Sequence, residues 1–425
     1  MPELFYKTHV LLNGLRVLLI PKDSPSATAM VMVKAGSRYE TDKEAGLAHF
    51  VEHNVFKGTV KRPDTEKLNS EIESLGGIHN AGTSQELTFY WTKVPNQHLI
   101  HAMDVVLDIS LNATFPQKDL EIERGNVIEE IHMYEDDPQS KVIRDFLWFL
   151  FDKKPIGREI GGFVETVAAF QKKDLDSFVS RFYQPQNMMV VVCGQFDEED
   201  VQQKIEEYFG KLPQKQAPSF SRFETQQKEA RSFLEYRDIQ QTHLVLGVTA
   251  FDRHDKRRFA LEVASTILGE GLGSRLFQRV RNQLGLAYHI ESDYEAFDET
   301  GLWAISAGVK SSQTKEAILA VLSELRKLID QKVEKDELLR AKELIKGKNL
   351  FGIETSEGMA SFIGFQSLLS KEVLTIAEIN QRIDSVTACD IQKVSQELLQ
   401  TNKLNLALIG PQREKKGFEE ILKID

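Results

Sequence analysis

His49-Phe50-Val51-Glu52-His53 sets two imidazoles four residues apart with a carboxylate between them. On a helix, residues four apart stack on one face, about 40° out of line at 3.6 residues per turn. Both rings then point the same way and Glu52 lies on the neighbouring flank. That is half of a zinc site plus a carboxylate placed to work on a metal-activated water. The order H-x-x-E-H is the inverse of the commoner H-E-x-x-H zinc string. Leu47, Phe50 and Val51 give the helix an apolar flank, and a surface helix without a metal has little reason to set two His on the edge of a buried stripe. The polar stretch Ser37–Gly46 precedes it, with Thr41 or Asp42 as N-caps.

Working outward, Val17–Ile20 and Thr28–Val33 read as strands separated by the turn-prone Pro21–Pro25. Thr65–Leu75 reads as a helix ended by Gly76-Gly77. A strand-like alternation follows Ser84, then helices at Leu99–Leu111 and Gln117–Tyr134, a strand at Met188–Val192 and a helix at Glu198–Phe209. The polar, Pro-containing stretch Lys211–Glu229 has no clear period and reads as a linker. Beyond it the order is echoed: a strand at Thr242–Val248, helices at Arg257–Leu268, Gln313–Ile329 and Lys335–Leu350, and a closing strand at Leu404–Ile409. Strands and helices are grouped rather than strictly alternating, so the expected class is α+β. The expected architecture is two similar α/β sandwiches of about 210 residues each, at 1–212 and 234–425, joined by a linker at 213–233.

The 425 residues are 41% hydrophobic and 28% charged, the balance of a globular protein. No run of about 18 apolar residues is present, so no membrane span is expected. The net charge of −11 argues against non-specific nucleic-acid binding. Two cysteines, Cys193 and Cys389, exclude a disulfide framework and read as buried small hydrophobes. The stretch Met1-Pro2-Glu3-Leu4-Phe5-Tyr6-Lys7 has neither an apolar signal core nor an Arg-rich transit pattern, so the chain is expected in the cytoplasm unless a leader has been removed.

Two His do not complete a catalytic zinc site, which takes three protein ligands and leaves a position for water. A carboxylate is the natural third, and the helix Gln117–Tyr134 offers Glu121, Glu123, Glu129 and Glu130. Chemistry alone does not choose among them. The sequence resembles, over essentially its whole length, the pitrilysin/insulinase family of zinc metallopeptidases, especially two-domain subunits of the mitochondrial-processing-peptidase type. The carriers are Gly36-Ser37-Arg38-Tyr39-Glu40, Gly46–His53, Phe56-Lys57-Gly58-Thr59, Gly76-Gly77-Ile78-His79-Asn80-Ala81 and Glu123-Arg124-Gly125-Asn126-Val127-Ile128-Glu129-Glu130. Asn54-Val55 departs from the family's frequent Met-Leu at positions that are not ligands. In the family the third ligand is the last Glu of an E-x6-E stretch. The resemblance therefore implies Glu130, which lies 77 positions after His53, as ligand, with Glu129 as fallback and Glu123 as a supporting carboxylate.

The resemblance implies more. One Zn²⁺ per chain would be held by His49, His53 and Glu130, with Glu52 as general base for peptide-bond hydrolysis. The segment containing Gly77, Asn80 and Ala81 would form a strand edge that pairs with an extended peptide, with His79 a local polar contact. In the second half, Gly273–Phe277 and Arg281–Tyr288 match the family's substrate signature. There, Arg281 would hold a peptide carbonyl and Tyr288 would donate to the developing oxyanion. Larger relatives enclose a chamber with four such domains. A two-domain chain bearing both signatures would then form a homodimer, each site taking Arg281 and Tyr288 from the partner, with a heterodimer as the other arrangement. The substrate would be a peptide or an unfolded polypeptide, with no nucleic-acid or membrane partner. The rival function is a non-catalytic scaffold or partner subunit of a related peptidase complex.

Overall fold

The structure, a computed structural model, describes residues 6–424; Met1–Phe5, part of the stretch read above for a leader, lie outside the described residues. The chain forms two compact units that interleave along the sequence. The first comprises the chain up to His132, Arg158–Ser221 and Leu350–Val373; the second comprises Met133–Gly157, Arg222–Asn349 and the chain from Leu374.

The first unit is built on six strands: β1 (Lys7–Val10), β2 (Arg16–Pro21), β3 (Ser26–Val33), β4 (Ile78–Thr83), β5 (Thr88–Pro95) and β6 (Met188–Gly194). Their order is β1-β2-β6-β3-β5-β4. Only β2 and β6 run parallel; the other neighbours are antiparallel. The apolar runs Val17–Ile20 and Thr28–Val33 are continuous because both faces of this sheet are covered. Successive side chains point to opposite faces. Val17, Leu19, Ala29, Val31 and Val33 join the core with α1 (Leu47–Val55) and α3 (Leu99–Asn112). Leu18, Ile20, Met30 and Met32 instead meet Met359, Ala360 and Ile363 of the helix Ser356–Leu369. Along the chain α2 (Thr65–Ser74) comes between α1 and α3, and the long helix α4 (Gln117–Asp136) follows α3.

The second unit repeats the plan with five strands: β7 (Arg231–Tyr236), β8 (Gln241–Ala250), β9 (Ala287–Ala296), β10 (Gly301–Lys310) and β11 (Asn405–Gly410), in the order β7-β11-β8-β10-β9. Leu244, Leu246 and Val248 face a core shared with the helices Arg258–Gly269, Thr314–Asp330 and Ala388–Leu398. Val245, Leu302, Ala304 and Ala407 face the opposite way, onto Val142, Phe146 and Leu150 of α5 (Pro138–Leu150). Each fully buried Val, Leu or Phe of these layers contributes about 1.5–3 kcal/mol by leaving water.

The class is α+β with two sheets, as the grouping of elements implies. The polar stretch expected as a linker carries no helix or strand between Leu212 and Ala230, and the passage from first unit to second falls within it, at Ser221–Arg222. Relative to the expected segments 1–212 and 234–425, each unit also includes a helix from the other segment: α5 in one case, Ser356–Leu369 in the other. No helix among the described residues is long and apolar enough to cross a membrane.

Candidate metal centre

The helix carrying the two imidazoles begins later than Thr41 or Asp42. Thr41 caps a separate short turn, Asp42–Glu44, with its backbone N–H donating to Glu44 Oε2 at 3.1 Å. Gly46 then breaks the chain direction at φ +92, a left-handed conformation that favours glycine, and α1 starts at Leu47. A side chain at Gly46 would also meet the Gly161 carbonyl oxygen at 2.5 Å. The open N–H groups at the start of α1 are taken by a carboxylate from outside the helix. Gly46 N–H donates to Glu40 Oε2 at 2.9 Å and Ala48 N–H to Oε1 at 2.8 Å. Glu40 is buried. Burial pushes its carboxyl up to about 8, against the opposing pull of those N–H groups and of Arg158. Arg158 also donates to the Glu40 carbonyl at 2.9 Å. Glu40 thus fixes the position and pitch of the helix from which the ligands project.

On α1, His49 Nε2 and His53 Nε2 are 3.2 Å apart. Glu130 Oε2 lies 3.7 Å from the first and 3.5 Å from the second. Tetrahedral zinc with bonds of about 2.0–2.1 Å sets its donor atoms roughly 3.3 Å from one another. The three atoms stand at that spacing, and among the described residues no other set of three His, Cys, Asp or Glu side chains converges this way. The burial pattern of α4 resolves what carboxylate chemistry leaves open. Leu120, Glu123, Val127 and Ile131 form its buried face, and Glu130 sits at the edge of that stripe. Glu129 is 82% exposed and lies toward His132, while Glu121 pairs with Arg124 at the surface.

The electrostatics suit a cation. Burial first, and the neighbouring His53 second, push the His49 imidazole down to about 3, so the ring is neutral with a lone pair to give. Its buried Nδ1 has no hydrogen-bond partner among the described residues. His53 Nδ1 is 3.2 Å from Glu123 Oε2. Burial opposes charge on His53, but that hydrogen bond and the charges of Glu52 and Glu130 outweigh it and raise its pKa. Glu123 is itself held by Lys57 Nζ at 2.7 Å and Asn126 Nδ2 at 2.9 Å. Burial would raise its carboxyl, but the bonds from His53 and Lys57 win and hold it at about 2. An ionised Glu123 behind Nδ1 turns Nε2 of His53 toward the ligand point, as outer carboxylates do at metal-binding imidazoles. Donor set, spacing and support all fit zinc.

Glu52 shares this helix and is not one of the three converging groups. Its Oε2 accepts a 2.5 Å hydrogen bond from Thr83 Oγ1. Burial and the nearby Glu130 charge raise its pKa, against the Thr83 bond and His53. β4 is the edge strand of its sheet and packs against α1. Asn80 and Ala81 lie within it, whereas Gly77 sits just ahead, where a Cβ would meet Val94 Cγ1 at 2.6 Å. His79 makes a local contact, its Nε2 3.2 Å from Asn69 Oδ1. Arg281 and Tyr288 belong to the second unit, where the Arg281 Cζ lies 5.5 Å from the Tyr288 ring. Arg281 sits in a wide-turned π-helical run, Phe277–Gln283, and Tyr288 is 76% exposed on β9.

Four supporting residues escaped the reading of the sequence: Glu40, Lys57, Thr83 and Asn126. Asn126 was findable, since it stands three residues after Glu123 on one helix. Lys57 lies past the end of α1 and reaches Glu123 on α4, a contact with no local signal. Thr83 acts across the fold and leaves no local trace, and Glu40 lies six and eight residues before the N–H groups it accepts from, outside the spacing of the usual capping patterns.

With the geometry in place, comparison with known proteins gives a consistent result. A family model described as Insulinase (Peptidase family M16) matches residues 16–162, and one described as Peptidase M16 inactive domain matches residues 169–345. An uncharacterized zinc protease of Streptomyces coelicolor is 33% identical over 95% of this chain and 89% of its own length. A second, YmxG of Bacillus subtilis, is 30% identical over 95% of this chain and 98% of its own. Among solved structures, a protease from Helicobacter pylori superposes with a TM-score of 0.89 at 23% identity, covering 96% of this chain and all of that one, which shows a shared fold.

Proposed function

Because the chain belongs to the insulinase family of peptidases, peptidase family M16, we propose that it is a zinc-dependent endopeptidase acting on peptides or unfolded polypeptides. The observation that carries this reading is the convergence of His49 Nε2, His53 Nε2 and Glu130 Oε2 within 3.2–3.7 Å, with Glu52 on the same helix. A zinc ion held by these three would lower the pKa of a water toward about 7 and polarise a peptide carbonyl. Glu52 takes the proton of the attacking water and returns it to the leaving amine. Burial and the Glu130 charge raise its pKa, the direction that makes a carboxylate a better proton acceptor. The free edge of β4, through Asn80 and Ala81 and next to Gly77, receives the extended substrate by backbone pairing, which confers affinity with little sequence preference. A substrate held as a strand is a short peptide or an unfolded chain.

The purified protein is expected to bind about one zinc per chain and to cut an unfolded polypeptide. Excess chelator should abolish the cutting and added zinc restore it. Metal analysis alongside a fluorogenic peptide assay checks this, and cutting that persists without metal would count against the reading. The alternative, a non-catalytic scaffold or partner subunit, has one point in its favour: the second half matches the model described as an inactive domain. That match lies outside the ligand-bearing residues, and all three ligands and Glu52 are present.

Arg281 and Tyr288 would complete the site as carbonyl clamp and oxyanion donor. We place them in trans, in a homodimer whose two chains enclose a chamber; a heterodimer is the other arrangement. Mixing Glu52→Gln protein with Arg281→Ala protein should then regenerate activity, because one of the two mixed sites carries neither change. No recovery after verified subunit exchange would rule out sharing. The two unpaired cysteines fit a reducing compartment, and we place the protein in the cytoplasm.

A further inference from the structure

We propose that Thr83 is a positioning residue for the general base: its hydroxyl fixes Glu52 so that one carboxylate oxygen is anchored and the other is left to take the water's proton. The inference rests on the peptidase reading above and adds to it a residue from the strand that would receive the peptide.

The geometry carries it. Thr83 Oγ1 lies 2.5 Å from Glu52 Oε2, the short distance of a hydroxyl donating to a charged oxygen. A hydroxyl has one proton, and its neighbours decide where that proton goes. Thr88, directly opposite in the β4–β5 register, brings its own Oγ1 to 3.4 Å. The Thr88 proton is committed elsewhere, since that hydroxyl donates to the Ala35 carbonyl at 2.9 Å. Thr88 therefore presents lone pairs to Thr83, and the stronger acceptor at the shorter distance is Glu52. Thr88 is buried, so this arrangement is held by the sheet rather than by a mobile side chain.

A carboxylate on a helix has several rotamers within reach of solvent and substrate. Anchoring Oε2 removes most of that freedom before the reaction begins, and a misplaced catalytic group is costly to rate. The bond contributes to the rate of the proton transfer and not to metal binding, because Glu52 is not one of the three converging donors. It also ties the base to β4, so the strand whose edge pairs with the peptide is the strand that aims Glu52.

Thr83→Val removes the hydroxyl while keeping the branched shape that suits a strand. Its kcat is expected to fall roughly 10-fold, with KM, zinc content and melting temperature unchanged. Thr83→Ser, which keeps the hydroxyl, should recover most of the loss. In the Glu52→Gln background Thr83→Val should cost little more, since the group it acts through no longer moves a proton. A raised KM with unchanged kcat would show that Thr83 serves the strand edge alone and would overturn the proposal. So would wild-type kcat in Thr83→Val, or an undiminished fractional loss in the double variant. An active wild type with an unaffected Thr83→Val protein removes this inference alone; a zinc-loaded wild type that cuts no peptide removes the peptidase reading and this inference with it.

Discussion

Glu52→Gln is expected to lower peptide turnover by roughly 100- to 10,000-fold while zinc stays bound. Glutamine has the shape of glutamate and retains an oxygen that can accept the Thr83 hydroxyl bond. It has no basic oxygen at neutral pH, so the proton of the attacking water has nowhere to go. The coordination sphere is untouched, because His49, His53 and Glu130 supply the three converging donors and Glu52 supplies none. The contrast with His53→Ala is the sharp part of the expectation. That substitution removes a donor atom and takes from Glu123 the imidazole it supports, so metal and activity should fall together. Initial rates on a fluorogenic peptide, paired with zinc content of the same samples, separate the two outcomes. A Glu52→Gln protein that cuts at the wild-type rate would assign the base elsewhere.

What the sequence disclosed about this site follows from which contacts are local. His49 and His53 share one helical face, so a spacing of four is enough to bring their Nε2 atoms together. Glu130 was one of four candidate glutamates on α4 until its place beside the buried stripe of Leu120, Glu123, Val127 and Ile131 singled it out. The resemblance to a known family reached the same residue by a separate route. The start of α1 was misread because Thr41 looks like a cap and does cap, but caps a different turn, of which Asp42 is the first residue. The N–H groups at the start of α1 are instead taken by Glu40, six and eight residues before them, a spacing outside the usual capping patterns.

The fold shows the same division. Grouped strands and helices, a polar stretch and an echo of the order revealed two sheets. The exchange of α5 and Ser356–Leu369 between the two halves was invisible, because an amphipathic helix shows which face is buried and not which sheet buries it. α5 was not read from the sequence, although its start carries a local signal: Asp137 accepts from the Gln139 and Ser140 N–H groups, and Pro138 follows it at the first helical position. The continuous apolar strands carried a related clue. Val17–Ile20 and Thr28–Val33 do not alternate with polar residues, which is what a sheet covered on both faces requires.

Arg62→Met is expected to destabilise the first unit by about 3–5 kcal/mol, the usual cost of removing one member of a buried charge network. Arg62 is 2% exposed and holds three carboxylates. Its guanidinium donates to Glu71 at 2.8 and 2.7 Å, to Asp108 at 2.9 Å and to Asp104 at 2.7 Å. These residues sit on α2 and α3, so the network clamps those two helices together beside β4. Methionine fills much of the volume but leaves the acids facing one another. Lys61, Lys204 and Tyr208 still reach Asp104, whereas Glu71 keeps His101 and Asp108 keeps the neutral donors Thr59 and Asn112, which compensate the two acids less well than the guanidinium. The pH dependence follows from the sign of the shifts. Burial alone would raise the Asp104 carboxyl, but its bonds from Lys61, Arg62 and Tyr208 outweigh burial and hold it below its ordinary value. Glu71 is lowered in the same way by Arg62 and His101. A carboxylate depressed in the folded state contributes its full stability above the unfolded value of about 4 and loses it as the pH falls through the folded one. The gap between wild type and Arg62→Met should therefore be widest at neutral pH and narrow below about pH 4, as the acids protonate and no longer need the guanidinium. Urea midpoints for the two proteins at neutral and acidic pH measure it. Equal stability at neutral pH would mean that the remaining cations carry the network without Arg62.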